Sequence, residues 1–129
     1  MNTDPSMPAA TPAFKPLDAV ALARLLELDP DGQHGVVQRV LATFDTSLRR
    51  LLGQLEAQAE RPQAAAVSAI AHTLKSSSAS VGALDLAAVC AEVEARLRGG
   101  DASALSADVQ RLLIESRAAL LAVAAKLQA

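Results

Sequence analysis

The sequence predicts an all-α protein: an antiparallel up-down-up-down four-helix bundle with an additional short N-terminal helix. Three observations point there. Hydrophobic residues make up 51% of the 129-residue chain while aromatics make up only 2%, so the core must be built from Ala, Leu and Val. Ala and Leu are strong helix formers, which tilts the composition towards helix. Apolar positions recur at three- and four-residue steps in five separate stretches, with Pro and Gly between them. Short connections between long amphipathic helices favour antiparallel neighbours.

Residues 1–14 hold Pro5, Pro8 and Pro12 among Ala, Thr and Ser, too little apolar surface to offset the entropy of ordering. They are expected to form a flexible Pro/Ala-rich tail, leaving residues 15–129 as the helical domain. Pro16 suits a first helical turn, and Leu17, Ala21, Leu22, Leu25 and Leu28 form the first stripe, stopped by Pro30 and Gly32. The second helix carries Val37, Val40, Leu41, Phe44, Leu48, Leu51, Leu52 and Leu55 and ends near Ala59. Pro62 opens the third, with Val67, Ile70, Leu74, Ser77 or Ser78, and Val81 inward, closed by Gly82. The fourth places Leu86, Val89, Cys90, Val93 and Leu97 inward and stops at Gly99 and Gly100. In the fifth, capped by Asp101 or Ser103, the stripe runs Leu105, Val109, Leu112, Ser116, Leu120, Val123 and Leu127.

Several functions are disfavoured. The net charge is −2, and no basic stretch is interleaved with aromatics, so nucleic acid is not an expected partner. No apolar run approaches the roughly 18 residues of a membrane span, and the start lacks the order of a secretory signal. The expected location is the cytoplasm. Its single cysteine, Cys90, excludes an internal disulfide, agrees with a reducing compartment and reads as a small buried hydrophobe. There is no phosphate-cradling loop or nucleotide lid, and no carboxylate cluster suited to Mg²⁺. His34, in the DPDGQHG connection, reads as a surface or helix-start residue. No metal site is expected, and the Glu92, Glu94, Arg96 and Arg98 cluster is read as a solvated face with weak ion pairs.

His72 stands apart. Each residue turns a helix by ~100°, so Ile70 and Leu74 lie about 200° from His72, on the side opposite to it. The apolar stripe must face the bundle, so His72 faces water. Lys75, Ser76 and Ala79 share its face, placing an ammonium one turn from the imidazole and otherwise only small side chains, which leaves room for another protein. An exposed imidazole is a competent nucleophile near neutral pH, and a nearby Lys can neutralise the oxygens of a phosphoryl group on the ring.

The segment AHTLKSSSASVGALDLAAVCAEVE, from Ala71 to Glu94, resembles the histidine-containing phosphotransfer (HPt) domain of bacterial phosphorelays. The matching positions are His72, Leu74, Lys75, Ser76, Ser77, Ser78, Gly82, Ala83, Leu86, Cys90 and Glu94. The resemblance implies that His72 is the phosphoryl acceptor at Nε2 and Lys75 its electrostatic partner, with Ser76, Ala79 and Gly82 at the docking surface. Gly82 would also turn the backbone into the fourth helix, and Ser77 and Ser78 would be close-packing positions. One departure is Ser76, where the family often has Gly; a hydroxyl is small enough for docking to survive. The resemblance further implies a monomeric phosphotransfer intermediate without autokinase activity or cofactor of its own. Its partners would be response-regulator receiver domains or a hybrid sensor kinase, with Mg²⁺ supplied by the receiver. Arg49 and Arg50 are candidates to assist docking. The alternatives are a non-catalytic helical adaptor that binds a signalling partner through the His72 face, and the dimerisation domain of a sensor kinase. Against the second, Thr73 rather than an acidic residue follows His72, and no Pro occurs after Pro62.

Overall fold

The computed structural model describes residues 15–128, so the tail expected over residues 1–14 lies outside the described residues. Five helices form: α1 (Ala19–Leu26), α2 (Val36–Ala57), α3 (Ala64–Ser80), α4 (Leu84–Arg98) and α5 (Leu105–Gln128). Among the described residues there is no strand. The four long helices neighbour one another in chain order, α5 closes the ring against α2, and α1 lies on α2 and α3. The α2–α3 pair runs antiparallel: Arg39 and Val40 share one groove with Ser80 and Val81, and Gln54 and Gln58 share another with Ala66 and Ala69.

The inward stripes meet as expected. Leu41, Leu48 and Leu55 of α2, Val67 and Leu74 of α3, Leu86 and Val93 of α4, and Val109, Leu112 and Val123 of α5 are fully or almost fully buried. Each such side chain contributes about 1.5–3 kcal/mol relative to exposure. Cys90 is buried among them, as its stripe position predicts. Leu28 departs from expectation: α1 ends at Leu26, so helical periodicity no longer aims it inward, and it is exposed.

Two polar devices set the helix ends. The buried Asp29 carboxylate accepts the backbone N–H of His34 at 3.0 Å and of Val36 at 3.2 Å, satisfying donors that the start of α2 would otherwise leave orphaned. His34 is therefore a helix-start residue. Asp18 caps α1 by accepting the Ala21 N–H at 3.0 Å, which explains why the helix begins at Ala19 rather than Leu17.

The turn joining α3 to α4 fixes the register of those two helices. Gly82 has φ +85°, and a Cβ there would stand 2.6 Å from the Asp18 backbone nitrogen. The Asp18 N–H donates to the Gly82 carbonyl at 2.9 Å, and the Ala83 N–H donates to the Ser78 carbonyl at 2.8 Å. Gly82→Ala is therefore expected to cost about 1–3 kcal/mol from backbone strain, with further loss as Asp18 is displaced. Gly32→Ala, at a similar φ of +69° with nothing within 4 Å, should cost less. Urea unfolding of both variants tests the difference.

Candidate functional site

The periodicity that buries Ile70, Leu74 and Val81 turns His72 outward, and its side chain is 62% exposed. Ser76 and Ala79, one and two turns on, are also exposed, and Lys75 is half-exposed. The three residues placed beside His72 by their spacing thus share its surface.

Beneath the imidazole lies a residue that sequence reasoning assigned to the solvated face. Glu94 of α4 is only 3% exposed. Its Oε2 lies 2.6 Å from His72 Nδ1, its Oε1 accepts from Lys75 Nζ at 2.6 Å, and Arg98 approaches Oε2 at 3.1 Å from the next turn of α4. The donor supply holds the carboxyl below the usual glutamate range: the Lys75 hydrogen bond lowers it most, burial opposes, and His72 and Arg98 add to the lowering. An ionised carboxylate has no proton to give, so the proton between Glu94 and His72 belongs to Nδ1. In the neutral ring Nε2 then carries the lone pair, and it points away from Glu94.

The pairing follows from the turn at Gly82. Ten residues before it and twelve after it, two antiparallel helices bring the side chains of positions 72 and 94 to one level. The α3–α4 contact is the most extensive in the bundle, and the small residues Ala71, Ser78 and Cys90 are fully buried on these two helices, where short side chains let the backbones approach. A legible signal was present: Glu94 sits four residues beyond Cys90 on the apolar stripe of α4, and an acid at a core position needs partners. Burial first, and then the charge of Glu94, push the Cys90 thiol up to about 12 against the opposing pull of Lys75, so this cysteine is neutral and unreactive.

Other expectations are corrected here. Gly82 is buried behind the Asp18 backbone and presents nothing to a partner; its role is the turn. Of the two serines expected to pack closely, Ser78 is buried, whereas Ser77 is exposed and donates to the Thr73 and Leu74 carbonyls at 3.3 Å. Arg96 is not part of a solvated face: it donates from Nε and NH2 to the fully buried Asp108 and ties α4 to α5. Arg50 lines a groove with Ala69 and Thr73 of α3, while Arg49 pairs with Asp45 at 3.0 Å. No group of His, Cys, Asp and Glu among the described residues is arranged to hold a metal ion. No described helix is long and apolar enough to cross a membrane.

Residues 39–128 match the Hpt domain family, a span that includes His72, Lys75 and Glu94. The chain belongs to the Hpt family. Its fold is similar to the crystal structure of histidine-containing phosphotransfer protein B from Pseudomonas aeruginosa PAO1, with a TM-score of 0.72 and 27% identity over 90% of this chain and 97% of that one. No curated protein matches. This Hpt protein is thus a histidine phosphotransfer protein of two-component signalling, and Hpt proteins are phosphotransfer intermediates rather than kinases.

Glu94 also gives the Hpt bundle a pH dependence. A carboxyl held lower in the folded than in the unfolded protein contributes stability above its unfolded value, about 4.3 for Glu, and loses it as pH falls through the folded value. The stability of wild type relative to Glu94→Gln should fall as the pH drops below about 4.3. In that acid range wild type should lose stability faster. Urea unfolding at stepped pH reads it.

Proposed function

We propose that His72 accepts a phosphoryl group at Nε2 from the aspartyl phosphate of a receiver domain and donates it to receiver aspartates in a phosphorelay. The observation that supports this reading best is the exposed imidazole whose inner nitrogen is engaged by a buried carboxylate. Such a ring is held in one tautomer and one orientation, with its free lone pair facing an incoming partner.

In this mechanism the Nε2 lone pair attacks phosphorus while the P–O bond to the receiver carboxylate breaks in line, and the carboxylate leaves with the bonding electrons. The transferring group is largely positioned and charge-stabilised rather than activated. Lys75, held near the ring by Glu94, neutralises the phosphoryl oxygens in this mechanism. The short side chains of Ser76 and Ala79 leave space above the ring for the receiver. Mg²⁺ and the carboxylates that hold it come from the receiver. A carrier of this kind needs no nucleotide site, because the transfer potential already resides in the aspartyl phosphate. We place it as a monomer in the cytoplasm, where receivers or a hybrid sensor kinase would meet it.

The test is incubation with a phosphorylated receiver. Wild type should acquire phosphate that is acid-labile and alkali-stable, as a phosphoramidate is, and His72→Gln should acquire none. Removing a fully buried charge-stabilising donor costs 10²–10³ in rate; Lys75 is half-exposed, so Lys75→Ala should slow transfer on the order of tenfold. Phosphate appearing equally on His72→Gln would refute the reading. Receiver binding without any transfer would identify an adaptor instead.

A further inference from the structure

We propose that Ser76 donates a hydrogen bond from its hydroxyl to the phosphoryl group carried on His72 and so favours the loaded state of the protein. The inference rests on the phosphotransfer reading and adds to it a residue that touches the transferred group.

The helix sets the position. At ~100° per residue, Ser76 lies about 40° round α3 from His72, whereas Lys75 lies about 60° round in the opposite sense. Lys75 Nζ reaches Glu94 of α4 at 2.6 Å, so its side of the imidazole is the α4 side, and Ser76 stands on the side towards α2. The ring is oriented along the same line. Its Nδ1 lies 2.6 Å from Glu94 Oε2, which turns Nε2, and any group carried there, outward and away from α4. Side chains on a helix tilt towards its N-terminus, and Cβ atoms four residues apart are about 5–6 Å apart. The Ser76 hydroxyl is thus directed back to the turn that carries His72, across a gap that phosphoryl oxygens can span.

That hydroxyl is also uncommitted. Four hydroxyls on α3 are exposed, at Thr73, Ser76, Ser77 and Ser80. Thr73 donates to the Ala69 carbonyl at 3.0 Å, Ser77 to those of Thr73 and Leu74 at 3.3 Å, and Ser80 to that of Ser76 at 3.0 Å. A hydroxyl within a helix commonly bonds to the preceding turn in this way. Ser76 makes no such bond among the described residues. Its neighbours on α3 at the α2 side of the ring do not replace it: Ala69 has no side-chain donor, and the Thr73 proton is already given to a carbonyl. On the α4 side, Lys75 and Arg98 are both paired to Glu94.

The consequence is a bias in where the phosphoryl group resides. Bare His72 presents no anion to the hydroxyl, and phosphorylated His72 presents several anionic oxygens, so the bond stabilises the loaded form alone. This chain then holds its phosphoryl group more firmly than the same chain would with glycine, the residue the family often has here. Alanine keeps the Cβ and removes the proton, so it separates the bond from mere bulk.

The experiment loads the full chain with phosphoimidazole, a small chemical donor, and reads by phosphorus NMR how the phosphoryl group divides between His72 and free imidazole. In that exchange the N–P bond to Nε2 breaks with its electrons returning to Nε2, and a nitrogen of imidazole forms the new N–P bond. One kind of bond replaces another of the same kind, so the partition reports the surroundings of His72. Ser76→Ala and Ser76→Gly should each shift it towards free imidazole about three- to tenfold, the worth of one net hydrogen bond. Ser76→Thr, which keeps a hydroxyl, should stay nearer wild type than Ser76→Ala does. Ser80→Ala, which removes a hydroxyl already bonded to a carbonyl, should leave the partition unchanged. All four are exposed changes and should fold. An unchanged partition in Ser76→Ala, or an equal shift in Ser80→Ala, overturns the inference and leaves His72 a phosphoryl carrier. A His72 that takes no phosphoryl group from the donor overturns the inference and the phosphotransfer reading together.

Discussion

A carboxylate that is 3% exposed must have its charge met by donors within reach, and Glu94 meets it with His72, Lys75 and Arg98. Two of these donors, Lys75 and His72, lie one turn apart on the neighbouring helix, so the carboxylate fixes an ammonium and an imidazole together. Everything the site can do follows from that constraint: which ring nitrogen carries the proton, where the lone pair points, and why a cation waits beside it. The constraint in turn depends on the close approach of α3 and α4. That approach needs the small buried side chains Ala71, Ser78 and Cys90 and a turn at which only glycine fits against the Asp18 backbone.

The bundle holds two other buried acids, and the contrast is informative. Asp29 takes the backbone donors at the start of α2, and Asp108 takes the Arg96 guanidinium between α4 and α5. Each is satisfied by groups whose positions it stabilises, and neither touches a nucleophile. Glu94 differs because two of its donors, His72 and Arg98, are themselves largely in water. Its burial supplies rigidity on the inner side of the ring, while the outer side remains accessible.

The extent to which this was legible in the sequence differs between fold and site. Helix number, order and inward faces could be read because apolar spacing is local: the stripes of Leu48, Leu74 and Leu112 needed only the helical period. The outward direction of His72 followed from the same arithmetic. What escaped were contacts made across helices. Glu94 was read with its sequence neighbours Glu92, Arg96 and Arg98 as one exposed cluster, yet Glu94 turns towards α3 and Arg96 towards Asp108. Charged residues two apart on a helix face different neighbours, and a run of charges in sequence is not a patch in space. Gly82 was placed at the docking surface by resemblance, which says nothing about what lies over a turn; here it is the segment of chain at Asp18.

The most direct test of this account is the position of the imidazole proton in the unphosphorylated protein at neutral pH, read by long-range proton–nitrogen NMR correlation on His72. In the neutral ring the account predicts the proton on Nδ1, donated to Glu94, with Nε2 bare. A proton residing on Nε2, or an even mixture of the two tautomers, would contradict it.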